Sequence, residues 1–329
     1  MVKAMFPNDW HSFFIYVFFG YLLIFPAAIA YLRLFAVSDP GQRLQIYLVA
    51  LLTPFAGFIL YHTVLLKRCE TGILLSGMNR QLFDALCHAG FLAFSYLGPL
   101  LVALLFIGLL KTAAGAFFAF RLRQQAATPL PEEKERINRL LTKYCFAMDL
   151  PCPEVIYSRR DNFVALTVGI SRPALVLSKP MLAKFTLSEL EHILLHELAH
   201  IRRRDGFWGW LLSLLRDLTF FSPFSSLLLE RCLLEKERLC DQEAVRQTGG
   251  DSIAYATTLL KAWRLLAQGQ KMRNAFTTGL TGPPNSLEQR IKSLLLSAAG
   301  NQGKLPVPMF VISLAALVAV TFLYLGYLC

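Results

Sequence analysis

His196 and His200 are the residues in this 329-residue chain best placed to do chemistry. Four positions apart on a helix, they share one face, one turn above the other, where a single tetrahedral Zn²⁺ can take both imidazoles. Glu197 follows the first histidine directly. In such an H-E-x-x-H pattern the glutamate points to the open side of the metal and can take a proton from bound water as general base. Five residues of this kind recur by chance, so their setting matters. Thr186 and Glu189 have the spacing of a capping box, and Leu190, Ile193, Leu194, Leu198 and Ile201 form an apolar stripe. Together these predict a firmly started helix packed on a core. His192 lies one turn earlier with no glutamate after it, and is expected on the helix surface or beside a ligand rather than on the metal.

A catalytic zinc keeps three protein ligands and one open position, so one more ligand is owed. Glu237 and Asp241 stand four apart on a second helical stretch. Glu237 is expected to complete the ligand set, and Asp241 to accept the free ring N–H of a ligand histidine. Glu235 and Glu243 read as solvated charges. Cys240 offers a thiolate, but with Glu237 present it is expected to be a small buried residue.

These groups must be carried by an unusually apolar chain. Hydrophobic residues make up 55% of it and mean hydropathy is +0.47, above the roughly 45–50% apolar usage of soluble domains. Residues 13–32, 44–66, 85–110 and 305–329 are uncharged, and each run can cross a hydrocarbon layer that takes about 20 helical residues. Pro26, Pro54 and Pro99 inside them are tolerated in membrane helices, and His62 reads as interfacial. The first run has neither a basic start nor a small-residue cleavage site, and is expected to remain as an anchor. Lys and Arg near the span ends number ten on the side shared by residues 121–304 and four on the other. That segment is therefore expected in the cytoplasm, between three spans within residues 1–120 and a fourth at 305–329. The net charge of +11 then suits an inner leaflet of anionic membrane lipids, and no aromatic-interleaved basic patch points to nucleic acid. Seven cysteines without paired spacing read as reduced.

Within residues 121–304, positions 132–148 have helical periodicity behind an acidic first turn, and 154–157, 163–168 and 174–177 are short β-prone runs. Residues 206–230 are apolar and aromatic around Arg216 and Asp217, which predicts a membrane-associated helical hairpin rather than a fifth span. A span there would put Glu237 across the membrane from His196. Gly249 and Gly250 break the second ligand helix, 252–266 is helical, and 269–284 is a Gly/Thr/Pro-rich loop.

His196-Glu197-Leu198-Ala199-His200, then Arg203-Arg204-Asp205, then Glu237-Arg238-Leu239-Cys240-Asp241, resemble the membrane-embedded M56 metallopeptidases. These are the BlaR/MecR-type receptors and their relatives, and the M48 group of HtpX and CAAX-prenyl endopeptidases is more distantly similar. The likeness runs over about residues 90–329. It implies an integral membrane α-helical protein of the bacterial cytoplasmic membrane, carrying a small α+β gluzincin-type zinc metallopeptidase domain. One Zn²⁺ per chain and a protein or peptide substrate are implied with it. In gluzincins the strand before the active helix is an edge that holds the substrate, so Ala174, Leu175 and Val176 are expected to do so here. In the M48 group a segment like 284–291 ends in an arginine that stabilises the oxyanion. Arg290 matches it, although Gly282 stands where those relatives carry histidine, and a surface arginine fits the same pattern.

The implied reaction is hydrolysis by zinc-activated water without a covalent intermediate. A receptor or scaffold with a structural zinc is the rival class, against which Glu197 argues, since a structural site needs no general base. BlaR-type receptors continue into an extracytoplasmic drug-binding domain, whereas this sequence ends at Cys329. Sensing is therefore expected from a separate partner, or the enzyme is expected to serve HtpX-like quality control. Self-cleavage, known in the BlaR-type relatives, is expected in the loop 267–284 around Phe276, lying beside 174–177.

Overall fold

The described parts of the first two expected membrane segments, 13–32 and 44–60, are helical. The computed structural model describes residues 7–60, 129–158, 165–169, 173–269 and 284–298, with scattered positions between 102 and 124 and at 315. Helix α1 (Pro7–Leu34) packs along α2 (Pro40–Leu60). Tyr21 donates its hydroxyl to the Leu51 carbonyl at 2.7 Å, and a Cβ on Gly20 would lie 2.9 Å from the Pro54 Cβ. Glycine is therefore what lets the Pro54 ring approach. Among the described residues one stretch, Val17–Leu34, is long and apolar enough to cross a membrane, with mean hydropathy 1.8. His62, the fourth expected span apart from residue 315, and most of the third lie outside the described residues, as do 270–283 of the expected cleavage loop.

Helix α3 (Pro131–Ala147) starts with Pro131 and the acidic pair Glu132 and Glu133, and buries Ile137, Leu141, Tyr144 and Cys145. Three strands follow: β1 (Glu154–Ser158), β2 (Ala165–Val168) and β3 (Ala174–Ser178). Their order is β1-β3-β2, with β1 parallel and β2 antiparallel to β3. The pleat sorts the side chains: Tyr157, Ala165, Leu175 and Leu177 join the main core, whereas Ile156, Ala174, Val176, Leu166 and Val168 form a second cluster. This order corrects the expectation for Ala174, Leu175 and Val176. They lie on the central strand, whose backbone is already paired on both sides, so they cannot take up a substrate strand. The outer positions belong to β1 and β2.

A short α4 (Lys179–Lys184) leads to α5 (Leu187–Arg202), the helix of the two histidines. Its capping box forms: Thr186 N–H donates to Glu189 Oε2 at 2.8 Å and Glu189 N–H to Thr186 Oγ1 at 3.3 Å, a cap of about 1 kcal/mol. Lys261 Nζ braces Glu189 at 2.6 Å. The expected stripe is buried, and so are Leu195 and Ala199, which makes α5 the centre of its core rather than a surface helix. The expectation of a surface His192 gives way for the same reason: the ring is 7% exposed, with Nδ1 2.8 Å from Thr258 Oγ1.

Arg204, at φ 53, turns the chain into α6 (Asp205–Leu218). Buried Ser225 donates to the Thr219 and Ser222 carbonyls at 3.0 and 2.7 Å and secures the turn into α7 (Pro223–Gln247). Residues 206–230 thus form one helix, a turn and the start of a second helix, which does not stop before the ligand stretch: one 25-residue helix carries both. Gly249 and Gly250, at φ 83 and 92, make the reversal into α8 (Ser252–Gly269), where Asp251 Oδ1 accepts from Ile253 and Ala254 N–H at 3.1 and 2.9 Å. Helix α9 (Pro284–Ala298) follows.

Two compact units result. One comprises Met1–Leu109, Ser213–Glu235 and Gly303–Cys329, and the other Leu110–Leu212 and Lys236–Gln302. In the first, Phe14 meets Phe221 edge-on at 4.7 Å, and Glu235, expected as a solvated charge, is fully buried against Arg43 Nε at 2.7 Å. The second holds the main core and every group of the candidate site.

Candidate metal centre

Helices α5 and α7 bring His196, His200 and Glu237 together, their ligand atoms lying within 4.8 Å of one another. The two Nε2 atoms are 3.1 Å apart. Glu237 places Oε2 3.4 Å from His196 Nε2 and Oε1 3.6 Å from His200 Nε2. Ligands about 2.0–2.1 Å from a tetrahedral ion stand roughly 3.3–3.4 Å apart, so the three fit one zinc-sized cation.

The outward-facing ring nitrogens explain why both lone pairs face inward. His196 Nδ1 lies 3.1 Å from Asp241 Oδ1 and 3.0 Å from the Tyr255 hydroxyl, which itself donates to Asp241 Oδ1 at 2.8 Å. His200 Nδ1 lies 2.7 Å from Asp205 Oδ2. With ring protons on both Nδ1 atoms, the two Nε2 atoms face each other, and such a pair needs a cation between them, either a proton or a metal ion in its place. A metal ion there would also be met by Glu237 Oε2, which makes no hydrogen bond and lies 3.1 Å from Arg290 Nη1. Electrostatics agree. Burial disfavours an imidazolium at His196, yet the carboxylates of Asp241 and Glu237 outweigh it and raise its pKa to about 9. The pocket is built to hold positive charge.

Asp241, expected beside a ligand histidine, lies against His196. Arg290, read as an oxyanion donor or a surface residue, is 3% exposed and so is not at the surface. It gives Asp241 a forked pair of bonds, Nε to Oδ2 at 2.8 Å and Nη2 to Oδ1 at 2.6 Å, and approaches Glu237 Oε2 at 3.1 Å. Burial would raise the Asp241 carboxyl, but the Arg290 charge and hydrogen bonds hold it well below the usual range.

Three contributors escape a reading of the sequence. Asp205 takes His200 while its other oxygen lies 3.3 Å from Lys236 Nζ. Tyr255 comes from α8, 59 residues beyond His196. Thr167 on β2 donates its hydroxyl to Glu197 Oε2 at 2.9 Å. Asp205 alone had a signal, at the end of the Arg203-Arg204-Asp205 stretch. Glu197 is 1% exposed, and its Oε1 is buried without a partner. Cys240 is fully buried, as expected, with Sγ 3.3 Å from His200 Nδ1. Burial and the Asp205 charge raise its thiol well above the ordinary value, which keeps it protonated.

The sequence model of the family described as BlaR1 peptidase M56 matches residues 94–294. The methicillin resistance mecR1 protein of Staphylococcus aureus is 23% identical over 142 residues, 42% of this chain and 23% of that protein. The regulatory protein BlaR1 of Bacillus licheniformis is 34% identical over 89 residues, 27% of this chain and 15% of that protein. The protease HtpX homolog 2 of Methanosarcina mazei is 28% identical over 165 residues, 47% of this chain and 55% of that protein. The matched stretch thus spans about a quarter or less of the two regulatory proteins and about half of the protease.

Proposed function

The chain belongs to the M56 peptidase family, and on that premise we propose that it is an integral-membrane zinc endopeptidase of the gluzincin type, held by one Zn²⁺ on His196, His200 and Glu237. The convergence of His196 Nε2, His200 Nε2 and the Glu237 carboxylate at the spacing of one zinc-sized cation carries the proposal, because three groups of that chemistry at that spacing make a metal's ligand set rather than a simple hydrogen-bonded pair. When bound, zinc polarises the scissile carbonyl and lowers the pKa of its water. Glu197 accepts a proton from that water on Oε1, the oxygen without a protein partner, and passes it to the leaving amine. This orphaned oxygen supports catalysis over a purely structural zinc, whose closed coordination would leave a buried carboxylate unused.

Asp241 and Asp205 keep the ring protons on Nδ1, and Arg290 offsets the charge that Asp241 and Glu237 accumulate. The forked contact to Asp241 supports that positioning role for Arg290 over oxyanion binding. With β3 occupied on both sides, the extended substrate adds to the outer edge of β2, which no strand covers among the described residues. Residues 121–304 face the cytoplasm between multiple membrane spans, with α6 and the start of α7 in contact with lipid. The substrate is a cytoplasmic regulator or a membrane protein.

Glu197→Gln tests the core of this. The amide is nearly isosteric but cannot accept the proton, so the purified variant keeps its zinc and its fold while losing cleavage of a labelled casein. Cleavage at the wild-type rate would place the base elsewhere.

A further inference from the structure

We infer that Thr167 is a positioning residue for the general base, tying the strand that receives substrate to the carboxylate that activates water. This rests on the peptidase reading above and extends it to a residue outside H-E-x-x-H.

Thr167 lies on the outer strand β2, opposite Leu175 of β3. The pleat sends alternate side chains to opposite faces. Leu166 and Val168 pack in the smaller cluster, and Ala165 packs in the main core around α5. Thr167 is therefore on the α5 side, where its hydroxyl reaches Glu197 Oε2 at 2.9 Å and the Glu197 carbonyl at 3.4 Å. The hydroxyl has one proton, and the shorter bond to the charged acceptor takes it. Glu197 is 1% exposed, so bulk solvent does not supply that bond in its place. Holding Oε2 fixes the carboxylate rotamer and leaves Oε1, buried and unpartnered, as the oxygen for the proton. A peptide that pairs with β2 docks on the same few residues of backbone that hold this hydroxyl. Capturing the substrate and aiming the base are then set by one strand.

Valine matches threonine in shape and lacks the donor. A lost hydrogen bond to a charged group lowers kcat by about 10- to 100-fold, with KM within about twofold. Zinc content stays at the wild-type value, and the melting temperature falls by several degrees because Glu197 Oε2 is left buried without a donor. Thr167→Ser, which keeps the hydroxyl, restores kcat to within about threefold. Affinity for a peptide hydroxamate, whose N–OH proton Glu197 accepts, needs no turnover and falls in Thr167→Val but not in Thr167→Ser. The experiment uses the full chain in detergent, labelled casein as substrate, and Glu197→Gln alongside. An inactive Glu197→Gln with an unaltered Thr167→Val overturns the inference and leaves the peptidase reading standing. Equal losses in Thr167→Val and Thr167→Ser, or loss of zinc or of folding in Thr167→Val, make the role one of packing and also overturn it. A fully active Glu197→Gln overturns the peptidase mechanism itself.

Discussion

Removing Asp205 separates metal affinity from fold stability, because its two oxygens serve different partners. Oδ2 accepts from His200 Nδ1 at 2.7 Å, and Oδ1 stands 3.3 Å from Lys236 Nζ. In Asp205→Ala, His200 loses the acceptor that fixes its tautomer, which costs about 10- to 100-fold in zinc affinity, or roughly 1.4–2.7 kcal/mol. Lys236 is only 6% exposed and is left as an uncompensated buried charge, at about 3–5 kcal/mol. The metal-free fold therefore suffers more than the metal site. Asp205→Ala/Lys236→Met removes the stranded charge and recovers most of the stability, with a coupling of about 0.5–3 kcal/mol between the positions, but none of the zinc affinity. Chelator-competition titration gives the affinity, and denaturant unfolding of chelator-treated protein gives the stability. A double variant no more stable than Asp205→Ala would refute the buried pair, and unchanged zinc affinity in Asp205→Ala would refute the role on His200.

Arg290→Met leaves Asp241 and Glu237 buried without their cation and destabilises the protein by about 3–5 kcal/mol; a change below about 1 kcal/mol on denaturant unfolding would mean the clamp is not needed. His192 is held neutral: burial outweighs the nearby carboxylates Glu191, Asp251 and Glu189 and lowers its pKa below 6.5. Its contribution is present above pH 6.5 and lost as pH falls through that value toward the folded pKa, so melting temperatures fall between pH 7.5 and 5.5 more steeply in the wild type than in His192→Gln. Orientation is read by an impermeant thiol reagent on intact cells: exposed Cys152 reacts only after the membrane is opened, and Cys329 from outside. The reverse pattern would turn the chain over in the membrane.

The arrangement of the candidate site was the most legible part of the sequence because it is local. A capping box, an i,i+4 pair of histidines and an i,i+4 Glu/Asp pair are each fixed by helix geometry, and each forms. What depends on distant pairing was not legible. The uninterrupted apolar run 174–177 indicates a strand covered on both faces but not which strands flank it, and strand order is set by which segments return to pair with it. Glu235 sits in a charge run that looks solvated, but its partner Arg43 is 192 residues away. Thr167 and Tyr255 have no motif around them, and only the packing of β2 and α8 on α5 turns two ordinary hydroxyls into site residues. Arg290 was noticed by resemblance alone, and its burial against Asp241 depends on how α9 packs, which no local pattern shows.

The ligand set is read most directly by X-ray absorption at the zinc edge on the purified full chain. Two imidazole nitrogens and a carboxylate oxygen at about 2.0–2.2 Å are predicted, with one zinc per chain in the wild type and little in Glu237→Ala. A sulfur neighbour at about 2.3 Å, from Cys240, or a full complement of zinc in Glu237→Ala would contradict the His196, His200 and Glu237 site.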